Sequence, residues 1–160
     1  MNSRLIIIGL VAFGTAVSWA QSSLKQATVY ESIGGKEVLD VLSKEGYKPE
    51  LTKDSDGDPK ITLKIQGKSI GVFFYDCNKT PFCTNLSIST GWDLKKPLDQ
   101  KQLLKFNYDN RFARASIDDE NDPYLESDFD FAGGATKTAL AEWIKTYAGQ
   151  INEFKSEFKL

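Results

Sequence analysis

Ile61-Thr62-Leu63-Lys64-Ile65-Gln66-Gly67-Lys68-Ser69-Ile70-Gly71-Val72-Phe73-Phe74-Tyr75 begins with apolar side chains at every second position, breaks at Gln66-Gly67-Lys68, and resumes as a second apolar-rich run. A period of two sends alternate side chains to opposite faces of a strand. A glycine-containing break between two such runs folds one strand back on the other. The pattern extends both ways. Upstream, Leu51 lies before the cluster Asp54-Ser55-Asp56-Gly57-Asp58-Pro59, which is turn chemistry between two strands. Downstream, Thr84–Trp92 reads as a fourth strand with Leu86, Ile88, Thr90 and Trp92 on one face. Four consecutive strands joined by short turns predict an antiparallel meander.

Helical spacing brackets this core. Val38, Leu39, Val41 and Leu42 follow Gly34-Gly35 and stop at Gly46, the position of a glycine just past a helix end. Asp99 is placed to cap a helix running to about Asn110, with Leu103, Leu104, Phe106 and Asn107 inward. A second hairpin follows, Phe112–Asp118 and Tyr124–Phe131 around a turn at Asp119–Pro123. After Gly133-Gly134 a last helix starts near Thr136, where Leu140, Ile144, Tyr147, Ile151, Phe154 and Phe158 form one long apolar stripe beside Trp143. The order α-β-β-β-β-α-β-β-α predicts an α+β fold, an antiparallel sheet with helices packed on one face.

Ahead of the domain stands a positive start, an apolar run from Leu5 to Val17, and Ser18-Trp19-Ala20 with small residues at −3 and −1. That is the layout of a secretory signal peptide over residues 1–20, cleaved between Ala20 and Gln21. The apolar run falls short of the roughly 20 residues that span a bilayer. The mature chain would then comprise an N-terminal extension, 21–34, and a single domain, 35–160, in a bacterial periplasm or secreted. Cleavage removes only Arg4 among the charged residues and takes the formal charge from −2 to −3. So mild a balance offers no footprint for nucleic acid or anionic lipid, and no membrane association is expected once the leader is gone.

The 160 residues contain no histidine. Ser-His-Asp and Cys-His nucleophilic arrangements are excluded, as are zinc sites that use histidine. No pair of carboxylates, lysines or hydroxyls stands in a recognisable catalytic pattern, so neither catalytic residues nor a cofactor nor a metal is expected. Gly67-Lys68-Ser69 and Gly35-Lys36 lack the remaining glycines of a phosphate loop and read as turns. Asp54, Asp56 and Asp58 alternate as calcium ligands do, but Gly57 and Ile65 stand where an EF-hand loop does not want them, and the segment reads as a solvated turn. Phe73-Phe74-Tyr75 has no basic surround for base stacking and reads as core.

Two features remain. Cys77 and Cys83 face each other across a hairpin mouth, which in an oxidising compartment predicts a disulfide; the Cys-x-x-Cys spacing of a redox pair is missing. From Ala115 through Thr136 there is no Lys or Arg, while Asp118, Asp119, Glu120, Asp122, Glu126, Asp128 and Asp130 all fall there. Strand alternation gathers Glu126, Asp128 and Asp130 on one face, and a turn at Asp119–Pro123 would set Arg114 opposite Asp128. Arg114, Glu126, Asp128 and Asp130 are therefore candidate partner-binding residues. Phe154 and Phe158, at the far end of the last helical stripe, are candidates for contact with another subunit.

Gly46-Tyr47, Asp56-Gly57-Asp58-Pro59, Phe73-Phe74-Tyr75-Asp76-Cys77, Asn110-Arg111-Phe112-Ala113-Arg114-Ala115, Asp122-Pro123 and Gly133-Gly134 before a Trp-bearing helix together resemble the YbjN-domain family. Its members are bacterial proteins labelled sensory transduction regulators. The resemblance runs from about Gly35 to Phe158. It implies a fold similar to type III secretion chaperones, which are α+β, often dimeric, and bind extended segments of client proteins. It implies no cofactor and no established catalytic residue. Secretion chaperones work in the cytoplasm, whereas the leader here directs export. Read from the residues, the motif is structural: Asn110 ends a helix, Arg111 satisfies helix carbonyls, Phe112 enters the core, and Asp122-Pro123 sets a turn. The expectation is a non-enzymatic, exported, homodimeric module that binds a protein or peptide, with a small secreted inhibitor or immunity-type protein as the alternative.

Overall fold

The structure is a computed structural model that describes residues 27–77 and 81–160. The leader with its Ala20–Gln21 junction, and the first part of the N-terminal extension, lie outside the described residues. Among the described residues nine strands and three helices follow in order: β1 Val29–Tyr30, β2 Ile33–Gly34, α1 Gly35–Lys44, β3 Glu50–Lys53, β4 Pro59–Ile65, β5 Lys68–Cys77, β6 Phe82–Gly91, α2 Gln100–Asp109, β7 Arg114–Ile117, β8 Pro123–Asp130, β9 Ala135–Thr136 and α3 Lys137–Phe158. The main sheet is antiparallel in the order β3-β4-β5-β6-β8-β7, with β2 added beside the start of β6.

The period-two reading of β4 to β6 holds residue by residue. Ile61, Leu63, Ile65, Ile70, Val72, Phe74, Leu86, Ile88 and Thr90 are all buried. Register pairs Ile61 with Val72 and Val72 with Ile88, so these side chains form one continuous inner face. The helices cover that face. On α3, Leu140, Ile144, Tyr147, Ile151 and Phe154 are fully buried, while α1 contributes Val38, Val41 and Leu42, and α2 contributes Leu103 and Phe106. Caps fall where the sequence put them: Asp99 accepts from the Lys101 N–H, and Thr136 from the Ala139 N–H.

The fold contains two helix–hairpin units related by plan. α1 leads to β3, a turn and β4; α2 leads to β7, a turn and β8. The turns share one design. An Asp54 carboxylate oxygen accepts the N–H groups of Asp56 and Asp58, and an Asp118 carboxylate oxygen accepts those of Glu120 and Asp122. Each has a left-handed fourth residue, Gly57 at φ 90° and Asn121 at φ 64°, and each ends on a proline that opens the next strand, Pro59 or Pro123. Asp-x-x-(Gly or Asn)-Asp-Pro is therefore a turn motif, and the carboxylate of each leading aspartate is already engaged by backbone.

The end of the N-terminal extension pairs with the domain: β1 pairs with β9, β2 pairs with β6, and Ile33 is fully buried. Three expectations about side chains need correction. Leu104, expected inward, is 69% exposed, and Phe112, expected in the core, is 72% exposed. Phe112 has φ 71°, a left-handed turn that reverses the chain between α2 and β7 and throws the ring outward. Within Phe73-Phe74-Tyr75 only Phe74 is core; Tyr75 is 53% exposed.

Candidate functional site

With the helices all on one side, the other face of the sheet is uncovered. Its composition follows from strand parity and changes across its width. On β4 it presents Lys60, Thr62 and Lys64; on β8 it presents Tyr124, Glu126, Asp128 and Asp130. Between them β5 and β6 present Ser69, Gly71, Phe73 and Tyr75, then Asn85, Ser87, Ser89 and Gly91, with one carboxylate at their end, that of exposed Asp76, which accepts from the Asn85 side-chain amide at 2.6 Å. Two aromatic rings lie over glycines. A side chain at Gly71 would strike the Phe73 ring and one at Gly91 the Tyr124 ring, at 2.6 and 2.8 Å. The result is a hydroxyl-bearing strip, covered in part by those two rings, between a basic margin and an acidic one.

At the acidic margin the pairing differs from expectation. Arg114 lies opposite Glu126, not Asp128. Its guanidinium is 3.0 Å from the Glu126 carboxylate, which also accepts from the Ser116 hydroxyl at 3.2 Å. The cause is the Asp118 turn: it closes on Asp122, one residue earlier than a turn ending at Pro123, and moves the partner of Arg114 by two. Asp130 accepts the Ala132 N–H. Asp128 is exposed and, among the described residues, has no cation within ion-pair distance.

At the basic margin a groove of about 740 Å³ is lined by Tyr47, Lys48, Glu50, Lys60, Lys64 and Phe73, among others. The Lys60 ammonium sits 4.8 Å from the centre of the Phe73 ring, a cation–π contact. None of these three lysines has a carboxylate within 4.0 Å among the described residues.

Of the two candidates for subunit contact, Phe154 is closed off from any partner. Phe154 is fully buried, with ring centres 4.7 Å from Trp92, 5.1 Å from Phe106 and 4.6 Å from Phe158. Phe158 is half-buried against the same cluster. Among the described residues the most exposed large apolar side chains are on α2 and the turn after it: Leu104 at 69%, Tyr108 at 86% and Phe112 at 72%. Leu104 and Tyr108 stand four apart, on one helix face. That spacing was the available signal, but it was masked by Leu103 and Phe106, which carry the inward face. α2 itself is fastened to the outer edge of β7 by Asn107, whose side-chain amide accepts the Ala115 N–H at 2.7 Å and donates to the Ala115 carbonyl at 2.9 Å. Asn110 donates to the Phe106 carbonyl and closes the helix.

Cys77 and Cys83 are joined as a disulfide, directly opposite each other on β5 and β6, with Cα atoms 3.9 Å apart. Among the described residues no group of three His, Cys, Asp or Glu is placed to hold a metal ion. Titration is perturbed at few places. Burial, with Glu126 nearby, holds the Tyr147 phenol above its ordinary range, and its O–H donates to the Leu125 carbonyl at 2.7 Å. Burial and then the Lys155 charge lower the Lys68 ammonium, which lies over the Trp92 ring. Both groups serve the core.

Fold and surface together define an α+β protein whose distinctive exposed features are an open sheet face and an apolar helix corner. The chain belongs to the YbjN family, described as "Putative bacterial sensory transduction regulator", whose model matches residues 35–160. Its specific motifs are accounted for above as a turn, a helix closure and a strand entry. Among solved structures it is similar to the Yersinia pestis type III secretion chaperone SycH in complex with a stable fragment of YscM2. There the TM-score is 0.49 at 15% identity, over 72% of this chain and 94% of that one. No curated protein sequence matches the chain.

Proposed function

We propose that this protein is a non-enzymatic binding module that acts on another protein or peptide, exported to the periplasm or secreted, and working as a homodimer. The observation that carries the reading is the Leu104–Tyr108–Phe112 corner. Three large apolar side chains, each more than two-thirds exposed, stand at four-residue intervals along α2 and its exit turn. Apolar side chains so grouped mark a surface that another chain covers. The homodimer contact is assigned to this corner in place of Phe154 and Phe158. Membership of a family described as regulatory supports binding over chemistry, as does a histidine-free chain.

The test is photocrosslinking in the producing cell from a photoreactive residue at Tyr108, with a second at exposed Glu153 on α3 as the control. Adducts from Tyr108 alone, to a second copy and to one or more other proteins, are expected. Equal adducts from both positions, or none, would overturn the reading. Export is checked in the same sample, since the processed chain should begin at Gln21 by intact mass. The alternative, a secreted inhibitor or immunity-type protein acting through the acidic hairpin, predicts one tight one-to-one complex with a single enzyme and adducts centred on Asp128.

A further inference from the structure

Phe112 combines two features that a folded chain ordinarily avoids. Its large apolar ring stands in solvent, and its backbone is left-handed at φ 71°. Among the described residues Gln66, Asp76, Asn121 and Lys159 are the other non-glycine residues in that conformation, and all four are polar. A bulky side chain there crowds its own backbone. The reversal between α1 and β3 is made by Gly46, at φ 88°, which has no side chain to crowd. The fold can therefore pass from helix to strand without this strain, and after α2 it does not.

The strained residue is held from every side. Before it, Asn110 closes α2 by donating to the Phe106 carbonyl; after it, Asn107 bonds both backbone groups of Ala115. The Phe112 carbonyl itself accepts from the Ser127 hydroxyl at 2.6 Å, and the Ser127 oxygen accepts from the Trp143 indole N–H at 2.9 Å. A bond to that carbonyl fixes the peptide plane that follows Phe112. Ser127 is buried, and the run from indole to hydroxyl to carbonyl leaves each of the three groups partnered. The strand does not need a hydroxyl there. Counted from the prolines that open β4 and β8, Leu63 stands where Ser127 stands, and Leu63 is core. The second unit gives up that apolar burial for a bond to Phe112.

We infer that Ser127 and Trp143 are positioning residues of the apolar corner: through the Phe112 carbonyl they hold the Phe112 ring outward as the anchor for a second copy of this chain. The inference rests on the reading of the corner as the homodimer contact, and it specifies which ring carries that contact and what aims it. Backbone strain that no packing within its own chain offsets belongs where a partner uses the side chain. A turn already set in the free chain needs no reordering on association, which lowers the entropic cost of binding.

The experiment measures the dimer dissociation constant of the full mature chain by sedimentation equilibrium, with chemical denaturation of each variant alongside. Phe112→Gly keeps the left-handed turn and removes the ring. It should be no less stable than the wild type and dimerise about thirtyfold more weakly. Ser127→Ala should weaken dimerisation by about fivefold. In the same variant the Trp143 indole N–H resonance, assigned by its loss in Trp143→Phe, should move upfield. Ser127→Thr keeps the hydroxyl and should dimerise as the wild type does. Asp54→Ala loosens the turn of the other unit; it controls for lost stability alone and should leave dimerisation unchanged. A Phe112→Gly chain that dimerises like the wild type, or that loses stability together with association, would overturn the anchor. A Ser127→Ala chain that dimerises normally, leaves the indole resonance in place, or is matched by Ser127→Thr or Asp54→Ala would overturn the positioning role. In each of these cases a wild-type dimer that Leu104→Asp/Tyr108→Asp dissociates leaves the homodimer reading standing, whereas a monomeric wild type ends both.

Discussion

At one end of the sheet α1 leads into β3, the Asp54–Asp58 turn and β4; at the other α2 leads into β7, the Asp118–Asp122 turn and β8. The registers match step for step, with Lys53 opposite Pro59 and Ile117 opposite Pro123, then Leu51 opposite Ile61 and Ala115 opposite Leu125. The surfaces do not match. α1 packs against α3 and keeps its apolar residues buried or half-buried, whereas α2 leaves Leu104 and Tyr108 in solvent. The outer edge of β7 is fastened by Asn107, while β3 has Pro49 before it and Lys53 at its end, devices that discourage strand addition. Thr62 and Lys64 on one side stand where Glu126 and Asp128 stand on the other. One plan, finished twice, separates the features the fold repeats from those it does not: the turns recur, and the charges and the apolar corner do not.

The largest break in the comparison should come from Phe154→Ala. Phe154 is the ring that holds α2 to α3 through Phe106, and removing a fully buried phenylalanine costs about 3–5 kcal/mol. Chemical denaturation should show that loss, and hydrogen exchange should rise in α2 more than in α1. A uniform rise would mean that the two units are not separately anchored. Next, Asn107→Ala removes both bonds to Ala115 and should cost about 2 kcal/mol, with faster exchange at the Ala115 amide.

Asp54→Ala and Asp118→Ala test the equivalence of the turns. Each removes one carboxylate that accepts two backbone N–H groups, so each should cost about 1–2 kcal/mol. A difference larger than either value would show that one turn is doing something besides turning. The smallest effect belongs to Arg114→Ala. Its pair with Glu126 is largely exposed and should contribute less than about 1 kcal/mol, vanishing at high salt.

The meander and the helices were legible because period and cap agreed: Ile61, Leu63 and Ile65 alternate, and Asp99 and Thr136 stand at the helix starts the structure uses. The disulfide was legible because a seven-residue hairpin, Cys77 to Cys83, leaves few other geometries. The two-residue strands β1, β2 and β9 were not, since Val29-Tyr30 carries no period and gains its place only by pairing with distant Ala135-Thr136. The Arg114 pairing was missed by one turn residue, because an aspartate carboxylate, and not the proline, sets where the hairpin closes. At the candidate surface the acidic face was read correctly from alternation. The apolar corner was not, because the outward throw of Phe112 depends on a left-handed backbone at a non-glycine residue, which no local pattern announces.

Sedimentation equilibrium on the mature chain, compared with a Leu104→Asp/Tyr108→Asp variant, bears most directly on the apolar corner as a protein-binding surface. Both positions are exposed, so the variant should lose less than about 0.5 kcal/mol of stability. The wild type should sediment as a dimer and the folded variant as a monomer. A monomeric wild type, or a variant that stays dimeric, would contradict the assignment.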